Sequence, residues 1–173
     1  MEKLSKSLTA EREGSWLVEE DDHKITVLTE EIGNLLKFFP DTVWPMSHLL
    51  RRLARLVLCL PQPSIKDIDR AIECLNVAHF TLREWNNEES RPVSLAILLE
   101  KVGAHIRALF LLSSDTGAWA KSPMGLAHLD QAKETLRIAR EDADDLFGKE
   151  GAVLKDMVET LGKTIVNFET KMG

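Results

Sequence analysis

The sequence contains no run of alternating apolar and polar residues long enough to form a strand of a sheet. It holds only two cysteines, Cys59 and Cys74, and both lie inside apolar helical patterns rather than at the spacing of a disulfide scaffold. We expect both to be buried free thiols in a reducing compartment. These absences argue against a β-sheet protein and against a small disulfide-stabilised domain, and they favour an all-α fold.

Positive charge is in short supply, since 22 lysines and arginines face 28 aspartates and glutamates, for a net charge of −6. A protein whose main partner is a nucleic acid needs a basic face that neutralises phosphates. The only dense basic cluster is Arg51, Arg52 and Arg55. We therefore expect no nucleic-acid partner.

Export signals are also missing from the sequence. The first residues, MEKLSKSLTAERE, contain no apolar core of signal-peptide length, and no Asn-x-Ser/Thr glycosylation site occurs. The expected location is therefore cytoplasmic.

The longest apolar stretch covers residues 93–112, VSLAILLEKVGAHIRALFLL, and fourteen of its twenty residues are apolar. As a helix it would be about 30 Å long, which is also the span of a membrane. Its eleven Leu, Ile, Val and Phe residues favour insertion by about 5 kcal/mol, whereas Glu100, Lys101 and Arg107 oppose it by roughly 8 kcal/mol. The stretch therefore predicts the buried central helix of a bundle, with membrane binding as the less favoured alternative.

Four polar residues of this stretch, Glu100, Lys101, His105 and Arg107, fall on one side of the helix. If another helix covers this side, the four residues form a buried polar network. If no helix covers it, they form a stripe that faces water. We favour the stripe.

Apolar periodicity predicts further helices at about 24–39, 46–60, 65–85, 123–146 and 152–171. Ser64 and Asp67 have the spacing of a capping box, and Ser122 followed by Pro123 is typical of a helix start. A strict heptad of Leu and Ala in 129–146 predicts close packing on a neighbouring helix.

The predicted fold is an all-α, single-domain antiparallel bundle of five to six helices around the central helix at about 93–112. Residues 1–15 are expected to be flexible or loosely docked, and residues 16–173 are expected to form the bundle domain. This topology places Trp44 and Trp85 at one pole and Trp16 and Trp119 at the other.

No catalytic, cofactor or metal site is predicted. The string Gly162-Lys163-Thr164 lacks the glycine that a phosphate-binding loop needs five residues earlier, where Met157 stands. Neither cysteine has an identifiable local base, and no set of histidines and carboxylates has the spacing of a metal site.

We therefore expect a non-enzymatic helical protein–protein interaction module of adaptor, regulatory, effector or inhibitor type, which acts through a presented surface. Its partner would be another protein, with a second copy of the chain as one possibility. The residue types suggest, as partner contacts, Arg51, Arg52, Arg55, Asp142 and Asp145, with Trp44 and Trp85 as anchors. For the acidic run that contains Asp142 and Asp145, solvated surface is the favoured interpretation, a partner contact comes second, and a cation site is the least favoured. Two alternatives stay open: a bundle that rearranges to bind lipid, and an enzyme whose polar residues converge only in three dimensions.

Overall fold

The computed structural model describes residues 21–37, 44–85, 90–116, 122–146 and 148–172. Within these ranges the chain forms six helices and no strand, so the predicted all-α fold is confirmed. The helices are α1 (Asp21–Leu36), α2 (Trp44–Leu58), α3 (Ile65–Trp85), α4 (Ser90–Thr116), α5 (Pro123–Asp144) and α6 (Gly148–Met172). The predictions for residues 1–15, Trp16 and Trp119 lie outside the described residues.

The helices form one antiparallel bundle in which each helix packs on the next along the chain, and α6 also packs on α4. The connections are short, and neighbouring helices therefore run in opposite directions. One end of the bundle therefore contains the first residues of α2, α4 and α6 and the last residues of α1, α3 and α5. We call this end the near pole. Trp44 begins α2 and Trp85 ends α3, so both positions lie at the near pole as predicted.

A small hydrophobic cluster joins Ala104 and Ala108 of the central helix α4 to Ile68 and Ile72 of α3, and two larger clusters share the same helix. One cluster joins α4 to α5 and α6, with Leu95, Leu99 and Leu109 of α4 completely or almost completely buried. The other joins α1, α2 and α3, and receives Ile97 from α4. Burying a leucine or isoleucine side chain is worth about 1.5–3 kcal/mol, so α4 contributes to the stability of both halves. This confirms the prediction of a bundle around a central apolar helix.

Two predicted helix starts are confirmed in atomic detail. The backbone N–H and the hydroxyl of Ser64 donate to Asp67, and the Asp67 N–H donates back to the Ser64 hydroxyl at 3.2 Å. Ser122 accepts from the Gly125 N–H at 3.0 Å and caps α5, whose first residue is Pro123. In each case a serine hydroxyl accepts a hydrogen bond from a backbone N–H group that has no acceptor inside the helix.

The heptad of α5 is buried as predicted: Leu129, Ala132, Leu136, Ala139 and Ala143 all lie in the core. Small alanine side chains allow α5 to approach α4 closely. Gly148 follows the last residue of α5 by four positions. It has a φ of +83°, a conformation that glycine adopts at little cost.

Several boundaries differ from the predicted ones. The central helix continues to Thr116, one turn beyond the predicted end, whereas α1 and α2 end before residues 39 and 60. Cys59 lies just after α2 and is exposed, which contradicts its predicted burial, and Cys74 is half-buried. The predicted helical context of Gly162 is confirmed, since it lies inside α6. Among the described helices, none combines the length and apolar character that crossing a membrane requires.

Candidate functional site

The polar side of the central helix is covered, which contradicts the expectation of a stripe facing water. Glu100 accepts from the Arg51 guanidinium at 2.6 Å and from the Arg55 guanidinium at 2.5 Å. Only 16% of the Arg51 side chain and 20% of the Glu100 side chain are exposed. Two of the arginines predicted as partner contacts therefore bind the central helix of their own chain, although the Arg55 side chain stays largely exposed.

Arg107 of the central helix binds the carboxyl end of α2. Its guanidinium donates to the carbonyl oxygens of Leu58 and Leu60. The last carbonyls of a helix have no partner within the helix and carry partial negative charge, so a cation at this place stabilises the end of α2. Arg107 thus acts as a C-terminal cap supplied by another helix.

A second set of three polar side chains, Asp69, His128 and His105, connects α3, α4 and α5. Nδ1 of His105 lies 3.0 Å from Nδ1 of His128, and Nε2 of His128 lies 3.6 Å from a carboxylate oxygen of Asp69. Both imidazoles are buried, with 4% and 7% of the residues exposed. Burial, the neighbouring His128 and Lys101 lower the pKa of His105 to about 3, so its imidazole is neutral at neutral pH.

The surroundings of these three side chains determine which ring nitrogen of His105 and of His128 carries the proton. The Nε2 atom of His105 is buried without a hydrogen-bond partner among the described residues. A buried N–H without an acceptor is costly, and a lone pair of His128 facing the Asp69 carboxylate is repulsive. The favourable arrangement has His105 donating from Nδ1 and His128 carrying its proton on Nε2, towards Asp69. The proton donors therefore all point the same way, from His105 to His128 and from His128 towards Asp69.

A charged pocket of about 430 Å³ lies at the near pole, where the end of α3, the start of α4 and the end of α5 meet. Most of its lining is polar or ionic, which is unusual for a small-molecule site. The residues that line it are His79, Leu82, Arg83, Ser90, Arg91, Ser94, Arg137, Ile138, Glu141, Asp142 and Asp145.

Opposite charges of the charged pocket come from different helices. Arg83 of α3 and Arg91 of α4 form its basic wall, and Asp142 and Asp145 at the end of α5 form its acidic wall. Arg91 belongs to the first turn of α4, where the helix dipole is positive. Asp145 is the C-cap of α5, where the dipole is negative. The dipoles therefore reinforce the charges of Arg91 and Asp145, whereas Arg83 lies in the last turn of α3, where the dipole is negative.

Arg137 does not add to the basic wall, because two glutamates of its own helix neutralise it. Its guanidinium donates to Glu134 at 2.9 and 3.0 Å and to Glu141 at 2.5 Å. The charges that stay available to a guest are therefore those of the two walls.

No hydrogen bond or ion pair joins the two walls within the described part of the chain. The walls influence each other only at longer range. Burial raises the pKa of the Asp142 carboxyl, an effect that Arg83 and Arg91 oppose and that Asp145 and Glu141 reinforce. Charged groups that line one pocket without touching each other can each form an ion pair with a molecule that binds between them.

His79 lies next to the basic wall and is neutral at neutral pH. Burial, followed by the positive charges of Arg83 and Lys101, lowers its pKa to about 4. The imidazole therefore sits among cations in the lining of a pocket, a position where its protonation responds to any anion that enters.

The predicted contact residues divide between two regions. Asp142 and Asp145 line the charged pocket, whereas Arg51 and Arg55 are bound to Glu100, and Arg52 lies half-buried on α2. The positions of Trp44 and Trp85 lie at the near pole, but their side chains are outside what the structure describes.

Sequence reasoning missed His79, Arg83, Arg91 and Arg137. One signal was present in the sequence, because the antiparallel topology brings the end of 65–85, the start of 90–116 and the end of 123–144 together. Basic residues in the first two segments and acidic residues in the third then predict a pocket with opposite walls.

No family model, curated protein or solved structure matches this chain. Within the described ranges, no group of three or more histidines, cysteines or carboxylates is arranged to hold a metal ion.

Proposed function

We propose that this protein is a helical interaction module of adaptor, regulatory, effector or inhibitor type, and that it binds a segment of another protein in the charged pocket. One observation carries the proposal: the basic and acidic walls line the same pocket without an ion pair between them.

The partner that fits best is a polypeptide segment that carries an acidic and a basic side chain close together. The acidic side chain would pair with Arg83 and Arg91, and the basic one with Asp142 and Asp145. Complementary charges at an interface accelerate association and exclude wrong partners, since a reversed charge pattern costs several kcal/mol. The charges of the pocket therefore contribute more to the choice of partner than to the strength of binding.

Apolar contact is available inside the same pocket. Leu82 is buried and Ile138 is half-buried, and both belong to its lining. An aliphatic stem of a lysine or arginine from the partner can cover these residues while its charged end reaches the acidic wall. Charge and apolar surface thus favour the same kind of guest.

A second copy of the chain is the competing occupant. A two-fold arrangement would place the basic wall of one copy against the acidic wall of the other, and symmetric interfaces are self-complementary in this way. Light scattering of the purified protein distinguishes the two occupants: a monomer favours the foreign partner, and a dimer that dissociates when a wall is neutralised favours the second copy. The free cysteines and the absence of glycosylation sites lead us to propose a cytoplasmic setting for either complex.

The test compares proteins captured from a native lysate by the unchanged chain and by two pocket variants. One variant carries Arg83→Gln and Arg91→Gln, and the other carries Asp142→Asn and Asp145→Asn. We expect both variants to lose the same partner, which is then purified and titrated by calorimetry. Each variant should weaken its binding about tenfold or more, since removing a charged contact costs roughly 1.4 kcal/mol or more.

The matched control carries Glu159→Gln and Lys163→Gln, which neutralise two exposed charges of α6. Circular dichroism confirms that all variants remain folded. A partner that binds the pocket variants as tightly as the unchanged chain, in calorimetry, would refute the proposal.

A further inference from the structure

We infer that the basic wall of the charged pocket binds a carboxylate of the partner segment and that His79 takes up a proton from solvent when this carboxylate arrives. The inference rests on the proposed function and specifies the chemistry of the same site. It predicts that binding and acidity are coupled in this pocket.

The donors for a carboxylate come from two helices. Arg83 and His79 are one turn apart on α3, and Arg91 and Ser94 occupy the first turns of α4. Two guanidinium groups, a hydroxyl and an imidazole therefore line the same pocket. Guanidinium groups bind carboxylates through paired, charge-assisted hydrogen bonds, so a single carboxylate can engage one arginine fully and still contact a second donor.

The acidic wall selects a carboxylate over a phosphoryl group. Asp142 and Asp145 lie in the same pocket, and a phosphoryl group carries about twice the negative charge of a carboxylate. The repulsion from the acidic wall grows with that charge. A singly charged anion that arrives together with a basic side chain leaves the pocket electrically balanced.

His79 is the group whose charge state can change. The charged groups around it are Arg83 on its own helix, Arg91 and Lys101 on α4, and Arg137, Glu141, Asp142 and Asp145 on α5. On the side of α3 that meets α2, the contact is apolar and includes Leu75 and Ala78. The nearest charges that act on the imidazole are therefore the cations Arg83 and Lys101, which keep its pKa near 4.

A bound carboxylate changes this balance. It places negative charge beside the imidazole and pairs with the arginine that repels a proton there, so the pKa of His79 rises. The imidazole takes its proton from bulk water, and the resulting imidazolium forms one more charge-assisted contact with the carboxylate. Below neutral pH, binding is consequently tighter than at neutral pH.

The test measures the pKa of His79 by NMR of the full chain, in sodium chloride, in sodium acetate and in sodium sulfate at equal ionic strength, because sulfate stays doubly charged in the pH range where His79 titrates. We expect acetate to raise this pKa saturably from about 4 to above about 5, while His48 on α2 stays unchanged. Arg83→Gln should raise the pKa without any anion and remove most of its response to acetate. The control variant Lys163→Gln on α6 should respond like the unchanged chain.

Two outcomes overturn the inference. A pKa of His79 that is the same in acetate and in chloride shows that no carboxylate binds beside it. A larger response to sulfate than to acetate, at equal ionic strength, shows that the wall takes a doubly charged oxyanion, as a phosphoryl group is at neutral pH, instead. Both results leave the capture experiment unaffected. Conversely, a partner that binds the pocket variants as tightly as the unchanged chain would refute the proposed function, and the response of the His79 pKa to acetate would still be observed.

Discussion

Nδ1 of His105 lies 3.0 Å from Nδ1 of His128, so two buried imidazoles on adjacent helices hold one proton between them. This contact is most favourable while both rings are neutral. Two protonated Nδ1 atoms would face each other, and a proton on Nε2 of His105 would have no acceptor among the described residues. The contact therefore makes the packing of α4 on α5 sensitive to acid.

The free energy of unfolding should decrease as the pH falls below about 6.5. In the unfolded chain His105 binds a proton near its ordinary pKa of 6.5, whereas in the folded protein it stays neutral down to about 3. The stabilisation is therefore complete above pH 6.5 and is lost as the pH falls from 6.5 towards 3. Each such histidine contributes a slope of about 1.4 kcal/mol per pH unit, measurable by urea unfolding at several pH values.

The double variant His105→Leu/His128→Leu separates this effect from other acid-sensitive groups. It should unfold with a shallower dependence on pH, and the slope that remains belongs to groups such as His79, whose pKa is also lowered. An unchanged slope in the double variant would show that the histidine pair is not responsible.

Glu100→Gln should lower the free energy of unfolding by about 2 kcal/mol. The carboxylate joins Arg51 and Arg55 of α2 to the central helix, and its replacement leaves a half-buried guanidinium without its anion. Denaturant unfolding at neutral pH measures the loss. Glu159→Gln is the matched control, because Glu159 is exposed on α6 and its replacement should change stability by less than about 0.5 kcal/mol. Equal effects of the two substitutions would contradict a structural role for Glu100.

Two glycines of α6 should respond to alanine in opposite ways. At Gly162 an added methyl group would lie 2.5 Å from the movable end of the Arg140 side chain and in ordinary contact with Leu136 at 3.5 Å, so Gly162→Ala should stabilise the helix by up to about 1 kcal/mol. At Gly151 the methyl group would lie 3.0 Å from the backbone carbonyl oxygen of Leu146, which cannot move as easily. Thermal unfolding should rank Gly162→Ala above Gly151→Ala, and the reverse order would show that Arg140 is held in place.

The two thiols should react with a disulfide reagent at different rates. Cys59 is exposed, whereas Cys74 is half-buried and burial raises the pKa of its thiol, which lowers its share of reactive thiolate. Absorbance after addition of the reagent should show one fast and one slow thiol. Cys59→Ser should remove the fast phase, and a fast phase that persists in this variant would contradict the assignment.

The periodicity of apolar residues was sufficient to predict the bundle. The spacing of Leu129, Ala132 and Leu136 predicts a packed face, and Ser64, Asp67 and Ser122 predict helix starts, because these patterns depend on residues close in sequence. Helix ends were predicted less well, since the extra turn of α4 up to Thr116 is not marked by a local signal.

The periodicity of apolar residues could not predict which polar side chains pair with each other. Glu100 lies 49 residues from Arg51, and Arg107 lies 49 residues from Leu58, so nothing local indicates that these groups meet. The same reason explains the candidate site: Asp142 was identified by residue type, but Arg83 and Arg91 on the opposite wall become relevant only once three helix ends meet.

The sharing of the central helix between the two larger hydrophobic clusters has a consequence for how the molecule comes apart. If each half had its own core, a defect in α1 could melt three helices and leave the other three intact. Here Ile97 points into one cluster while Leu95 and Leu99, its neighbours by two residues, point into the other. Damage to α4 therefore weakens both of these clusters, and we expect the backbone amides of this helix to be the last to exchange with solvent.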